Sequence, residues 1–146
     1  MGFKYRITYK MISGEGLDMD CFDEILTSSW REDSPLQLWD YETLQLKNDI
    51  EWNFKEKENI KASTQLYCCK FSNDLRKYIF AGGSQVNDVK VFDWNWRGFA
   101  CIDQLSHAPV TLDSSNDVTK NEQMLDIGGG EDVIRVFKFS STNPDF

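Results

Sequence analysis

The chain has 146 residues, of which 40% are hydrophobic and 14% aromatic, enough apolar material for a packed core, so wholesale disorder is excluded. With 16 basic and 24 acidic residues, its net charge of -8 repels phosphate backbones and argues against nucleic-acid binding. The sequence contains no apolar run long enough to span a membrane and no secretory signal, so we predict a cytoplasmic protein, with a cytoskeletal or ciliary setting left open.

Short predicted strands, separated by polar turns, follow one another along the chain. Residues 3–9, Phe-Lys-Tyr-Arg-Ile-Thr-Tyr, alternate apolar with polar side chains and predict an orphan outer strand. Three units follow at about 16–50, 65–105 and 108–139. Each unit has a strand that ends in small residues, a polar turn, and an alternating strand that ends in an aromatic. We therefore predict that residues 1–146 form a single all-β domain.

The three units are repeats, because their positions correspond one to one. The closing aromatics are Trp39, Phe92 and Phe137, spaced 53 and 45 residues apart. One and three residues before each aromatic lie two apolar residues, and their side chains share one face of the strand. These pairs are Leu36 and Leu38, Val89 and Val91, and Ile134 and Val136.

Small residues end the strand that precedes each turn. They are Ser28 and Ser29, Gly82 and Gly83, and Gly128 and Gly129. Small side chains at these positions predict the close approach of a neighbouring backbone or a large aromatic. Four short strands in about 45 residues, with polar turns between them, is the pattern of a propeller blade.

Two of the closing strands resemble a known motif. Leu-Gln-Leu-Trp39-Asp40 and Val-Lys-Val-Phe92-Asp93 are similar to the closing motif of WD40 repeats, and Ala-Gly-Gly-Ser84 resembles the strand that precedes it. His107 lies where the Gly-His dipeptide of that family often falls, with Ser106 in place of the glycine. The resemblance extends from about residue 17 to residue 139. It implies WD40-like blades of four antiparallel strands.

The number of units predicts an incomplete propeller. Propellers close with at least four blades of roughly 40–45 residues each, and the sequence supplies three recognisable units. We therefore expect an open arc whose uncovered apolar faces associate with a second copy, with another propeller segment or with upstream sequence.

Two stretches interrupt the regular spacing, and both predict surface loops. Residues 51–64 are rich in charged side chains. Residues 113–123 are polar and are expected to lengthen the turn within the third unit.

No set of residues predicts a catalytic, cofactor or metal site. The four cysteines, at positions 21, 68, 69 and 101, form no Cys-x-x-Cys pair, and His107 is the one imidazole. We interpret the cysteines as small buried hydrophobes in a reducing compartment. No Gly-x-Ser-x-Gly motif accompanies His107, so no hydrolytic triad is predicted.

The function that the resemblance implies is a non-catalytic protein-interaction scaffold within a larger assembly. In the family, the turn that holds Trp30 and Arg31 reaches the same face as the turns between blades. Our hypothesis is that a protein partner contacts this face through Trp30, Arg31, Asn87, His107 and Glu131. For His107 a hydrogen-bonding strut and an exposed turn residue remain alternatives. The alternative function is a structural fragment that only completes a propeller with another chain or with upstream sequence.

Overall fold

The computed structural model describes residues 12, 14–31, 33–53, 65–74, 77–85, 87–117, 119–120, 122–130 and 132–140. All regular secondary structure in these residues is β-strand, as the alternating sequence predicts. The outer strand expected at residues 3–9 lies outside the described residues, as does most of the loop expected at 51–64. No described segment forms a helix with the length and apolar character that a membrane crossing requires.

The strands form three antiparallel sheets, in which neighbours along the chain are neighbours in space. The first sheet has the order β1-β2-β3-β4, the second β5-β6-β7-β8, and the third, in its described part, β9-β10-β11. The strands are β1 Leu17–Met19, β2 Glu24–Ser28, β3 Leu36–Asp40, β4 Leu46–Ile50, β5 Gln65–Phe71, β6 Tyr78–Ser84, β7 Asp88–Asp93, β8 Gly98–Ile102, β9 Pro109–Asp117, β10 Glu122–Gly129 and β11 Arg135–Ser140.

The third sheet corrects one prediction. Residues 113–123, expected to be a long turn, lie mostly in strands, because β9 continues to Asp117 and β10 begins at Glu122. Their polar residues alternate with inward-facing ones: Ser114 is buried, whereas its neighbours Asp113 and Ser115 are not. A strand with one solvated face carries polar residues on that face, so polarity alone was a misleading sign of a turn.

The second sheet is packed on both faces. Towards the first sheet, Ile79, Ala81 and Phe92 join a buried cluster with Leu26 and Leu38. On the opposite face a second buried cluster joins the second and third sheets. Its members are Cys68, Phe80, Val89, Val91, Leu105, Leu112, Leu125 and Ile127. Successive residues of β6 and β7 are therefore buried on opposite faces, which alternation in a strand permits when both faces are covered.

The inner strands β1, β5 and β9 lie side by side across the three sheets. One carboxylate oxygen of Asp18, on β1, accepts the backbone N–H of Phe71 at 2.8 Å. The Lys70 ammonium lies 3.5 Å from Asp18 and 3.9 Å from Asp113, which are on the inner strands of the first and third sheets. Ser114 Oγ donates to the carbonyl of Phe71 at 3.0 Å. Polar contacts thus connect all three inner strands.

The small residues at the ends of β6 and β10 allow the close approach that the sequence predicts. A Cβ at Gly83 would lie 2.0 Å from the carbonyl oxygen of Gln65, and one at Gly129 would lie 2.6 Å from that of Ala108. Real Cβ atoms do not come so close to a backbone oxygen. Glycine at these two positions therefore lets the start of the inner strand pass against its neighbour in each sheet.

Candidate functional site

The connections between strands alternate between two ends of the sheets, because every sheet is antiparallel and follows chain order. We call one end the Trp30 end, made by the β2–β3, β6–β7, β8–β9 and β10–β11 connections. We call the other the Trp94 end, made by the β1–β2, β3–β4, β5–β6, β7–β8 and β9–β10 connections. Four of the five candidate partner-binding residues, Trp30, Arg31, Asn87 and His107, lie at the Trp30 end, and Glu131 lies outside the described residues.

Trp30 is half-buried and is held by an aromatic neighbour that the sequence analysis did not single out. Its ring meets the ring of Tyr67, on β5, edge to face, with the centroids 5.4 Å apart and the planes at 83°. Gly14 packs on the backbone of the same tyrosine, since a Cβ at Gly14 would lie 2.7 Å from the Tyr67 carbonyl oxygen. Its φ of +65° also favours glycine. Trp30 Nε1 is buried and has no hydrogen-bond acceptor among the described residues.

A backbone irregularity that the sequence does not signal places the Tyr67 side chain. The register between β5 and β6 shifts between Leu66 and Cys68, which is a β-bulge at Tyr67. A bulge re-aims the side chain at the extra residue, and here that residue contacts Trp30.

Arg31 is paired within its own turn. Its guanidinium donates to both carboxylate oxygens of Asp33, with Nη2 at 3.0 Å from Oδ2 and Nε at 3.4 Å from Oδ1. The hydrogen bonds from Arg31 lower the pKa of the Asp33 carboxyl below its ordinary value. Because this ion pair is exposed to solvent, it contributes little to stability.

Asn87 and His107 lie on the turns of the second and third sheets. Asn87 is half-buried with a φ of 51°, a left-handed conformation that asparagine tolerates better than most residues. His107 is exposed, and its ring and Cβ lie against Gly130, where an added Cβ would be 3.3 Å away. His107 also lines a small pocket with Leu105, Pro109 and Arg135.

Comparison with known proteins bears on the fold. Sqt1 of Saccharomyces cerevisiae, a WD40 propeller protein, matches this chain with a TM-score of 0.60 and 14% sequence identity. The match covers 88% of this chain and 32% of the Sqt1 chain, so this chain spans about a third of the length of Sqt1. The described sheets are WD40-like β-propeller blades. No family model matches the sequence, and no curated protein matches it either.

The blades form an open arc in the described residues, as the count of units predicts. Within the first blade, a polar contact joins two neighbouring strands. Trp39 Nε1, on β3, donates to Thr27 Oγ1, on β2, at 3.0 Å. This contact lies on the face of the first blade turned away from the second, because Leu26 and Leu38 occupy the other face. Trp39 therefore does not belong to the buried cluster between the first two blades.

The cysteines of the blades divide into two groups. Cys68 and Cys69 are buried, as predicted, whereas Cys21 is exposed in the β1–β2 turn and Cys101 is half-buried on β8, so the prediction of burial was wrong for these two. All four are free thiols. Within the described part of the chain, no group of three or more His, Cys, Asp or Glu residues is arranged to hold a metal ion.

The two buried thiols are poor nucleophiles because they resist ionisation. Burial raises the pKa of Cys69 from its ordinary value of 9.0 to about 12, and Ser28 opposes this shift by hydrogen bonding. Burial also raises the pKa of Cys68. Since the thiolate is the reactive form of cysteine, neither residue is suited to covalent catalysis.

These pKa shifts make stability depend on pH. Below pH 9 the thiol of Cys69 is protonated in both the folded and the unfolded chain. In this range its ionisation therefore does not change the free energy of unfolding. As the pH rises from 9 towards 12 the unfolded chain loses this proton first, and the free energy of unfolding falls by about 1.4 kcal/mol per pH unit. Urea unfolding at pH 8 and pH 10.5 measures this fall. We expect a shallower fall in Cys69→Ala and an unchanged one in the matched exposed control Cys21→Ala. Equal slopes in both variants would contradict the assignment.

Proposed function

We propose that this chain is a non-catalytic protein-interaction scaffold and a subunit of a larger assembly. In this proposal the partner is a protein that contacts the Trp30 end through Trp30, Arg31, Asn87, His107 and Glu131. The observation that carries the proposal is that the turns of successive blades meet at one end of a stack of sheets whose packing keeps them in place. Binding residues are often found on loops that a rigid scaffold positions.

The contacts of Trp30 and Arg31 suit them to anchor a partner. Tryptophan and arginine are the residue types most enriched among those that dominate binding energy at protein interfaces. Tyr67 fixes the Trp30 ring, and Asp33 orients the Arg31 guanidinium. A side chain that is already fixed loses little conformational freedom on binding, which favours affinity.

The composition and the cysteines support the rest of the proposal. A net charge of -8 disfavours nucleic acid and anionic membrane surfaces as partners. Four free thiols suit a reducing compartment, so we propose a cytoplasmic location. We propose no catalytic, cofactor-binding or metal-binding residue.

The capture of partners by a tagged chain, expressed in the cells that produce the protein, tests the scaffold. We expect a partner in stoichiometric amount with the natural sequence and about tenfold less of it with the Trp30→Ala/Arg31→Ala variant, because both proposed anchors are lost. The matched control is Phe99→Ala/Lys138→Ala, which removes an exposed aromatic and an exposed cation elsewhere. Circular dichroism checks that each variant keeps its β structure. Full recovery of every partner by the Trp30→Ala/Arg31→Ala variant would count against the proposal.

A specific observation favours the second candidate function, the completion of a propeller with another chain. Ile134 and Val136 are 76% and 57% exposed on the outer face of the third sheet. Leu36 and Leu38, at the corresponding positions of the first sheet, are 0% and 1% exposed beneath the second sheet. The first and second sheets each have this face covered by the following sheet. The third sheet carries apolar residues on the same face, and there they are exposed. Self-association or the addition of another propeller segment would cover them.

The sedimentation of the purified chain tests this second candidate. Completion by a second copy predicts species heavier than the 17.0 kDa monomer, and dissociation to the monomer in Ile134→Lys/Val136→Lys, because buried lysines without partners destabilise the contact. Phe99→Lys is the control, since Phe99 is also exposed but lies on β8. A folded monomer of the natural sequence at every concentration measured would contradict self-association.

A further inference from the structure

The Trp94 end carries three exposed aromatic side chains, whereas the tryptophan of the proposed site at the opposite end is half-buried. Phe22 in the β1–β2 turn is 49% exposed, Tyr41 in the β3–β4 turn 51%, and Trp94 in the β7–β8 turn 67%. Large aromatics so exposed on neighbouring turns are typical of surfaces that bind other molecules.

Each of these aromatics follows an aspartate whose side chain organises its turn. In the β7–β8 turn, one carboxylate oxygen of Asp93 accepts the N–H groups of Asn95 at 2.8 Å and Arg97 at 2.9 Å. In the β1–β2 turn, Asp20 accepts those of Phe22 and Glu24 in the same way, both at 2.9 Å.

The β3–β4 turn has the same arrangement. Asp40 accepts the N–H of Thr43 at 2.8 Å and its hydroxyl at 2.7 Å. The three exposed aromatics are therefore on turns fixed by internal hydrogen bonds, which lowers the entropy lost when a partner orders them.

Two of the three turns are in direct contact, and the third is at the same end of the sheets. The N–H of Tyr41 donates to the carbonyl of Asp23 at 2.8 Å, which joins the β1–β2 and β3–β4 turns of the first blade. In the β7–β8 turn, Trp96 packs against the buried cluster between the first and second blades. Its φ of 65° is unusual for a residue with a side chain and turns the ring inward. The Trp94 turn is thereby anchored on the side of the second blade that faces the first.

The net charge of this surface is negative, because Asp93 and Arg97 of the β7–β8 turn balance each other and the first blade's turns carry only carboxylates. The two turns of the first blade, together with the last residue of β3, carry four carboxylates and no lysine or arginine. These carboxylates belong to Asp20, Asp23, Asp40 and Glu42. The nearest lysine on these strands, Lys47, is paired with the buried Glu24. A cation brought to this surface meets carboxylates and the faces of aromatic rings, both of which attract it.

We propose that the turns bearing Phe22, Tyr41 and Trp94 are a docking surface for a basic segment of a partner protein, in which lysine or arginine residues alternate with apolar ones. The apolar side chains pack on the exposed rings. The cations lie against the carboxylates and over the ring faces. This surface is at the opposite end of the sheets from the proposed Trp30 site, so it goes beyond the proposed function and does not depend on it.

An NMR titration of the isotope-labelled chain tests this proposal with a defined probe, an octapeptide of alternating lysine and leucine. We expect saturable shifts of the Trp94 indole N–H and of the Phe22 and Tyr41 amides, while the Trp30 indole N–H stays unchanged. The matched peptide of alternating glutamate and leucine is expected not to bind. Raising the salt from 0.05 to 0.5 M is expected to raise the Kd of the lysine peptide about tenfold, because salt partly screens the attraction.

Two variants separate the aromatic and the acidic contributions. Tyr41→Ala/Trp94→Ala is expected to raise the Kd for the lysine peptide at least about fivefold. Asp23→Asn/Glu42→Gln keeps the shapes and removes two charges, and it is expected to raise the Kd about threefold, since asparagine also tolerates the φ of 59° at position 23. Ile134→Ala, an exposed apolar residue at the opposite end of the sheets, is the control and is expected to leave the Kd unchanged.

Either of two results would overturn the proposal: shifts centred on Trp30 and His107, or equal binding of the lysine and glutamate peptides. An unchanged Kd in both test variants would do so as well. The Trp30 end is tested separately, because the partner-capture experiment changes Trp30 and Arg31 and leaves Phe22, Tyr41 and Trp94 in place.

Discussion

The burial of the second sheet on both faces is the constraint on which the rest of the structure depends. A half-buried sheet needs apolar residues on alternate positions, whereas this sheet needs them at consecutive positions. Ile79, Phe80 and Ala81 are all fully buried, the outer two facing the first sheet and Phe80 facing the third. Because both clusters share these strands, the first and third sheets are held in register through the second, and so are the turns at both ends.

One cation is buried within this packing. Lys90, in β7, is buried between the first two sheets, where its ammonium donates to the carbonyl of Trp52 at 3.1 Å and lies 4.6 Å from the centroid of that ring. Asp88 is 3.8 Å away and equally buried. A buried cation is tolerated only with such partners. The corresponding positions in the other closing strands are Gln37 and Arg135, so this column of the blades is polar throughout.

The strands were predictable from the sequence because alternation and burial coincide in them. The second unit begins with β5 at residue 65, as predicted, and the paired positions of β3 and β7 are buried together. Three features were not predictable. The extension of β9 through Asp113 to Asp117 was hidden by polar residues on a solvated face. The contact of Tyr67 with Trp30 depends on a bulge, and the exposure of Trp94 beside the inward-facing Trp96 depends on a left-handed residue in the turn. Neither the bulge at Tyr67 nor the left-handed conformation at Trp96 involves a glycine, the residue that would have indicated it in the sequence.

The central claim, that the second sheet is the core which holds its neighbours, is most directly tested by amide hydrogen exchange. Opening β6 or β7 exposes both buried clusters, whereas opening β11 exposes one, so protection factors in Ile79–Ala81 and Val89–Val91 are expected to be the largest in the chain, roughly tenfold or more above those of residues 135–138. The outcome that contradicts the account is slower exchange in β10 and β11 than in β6 and β7, since the third sheet would then be stable without the second.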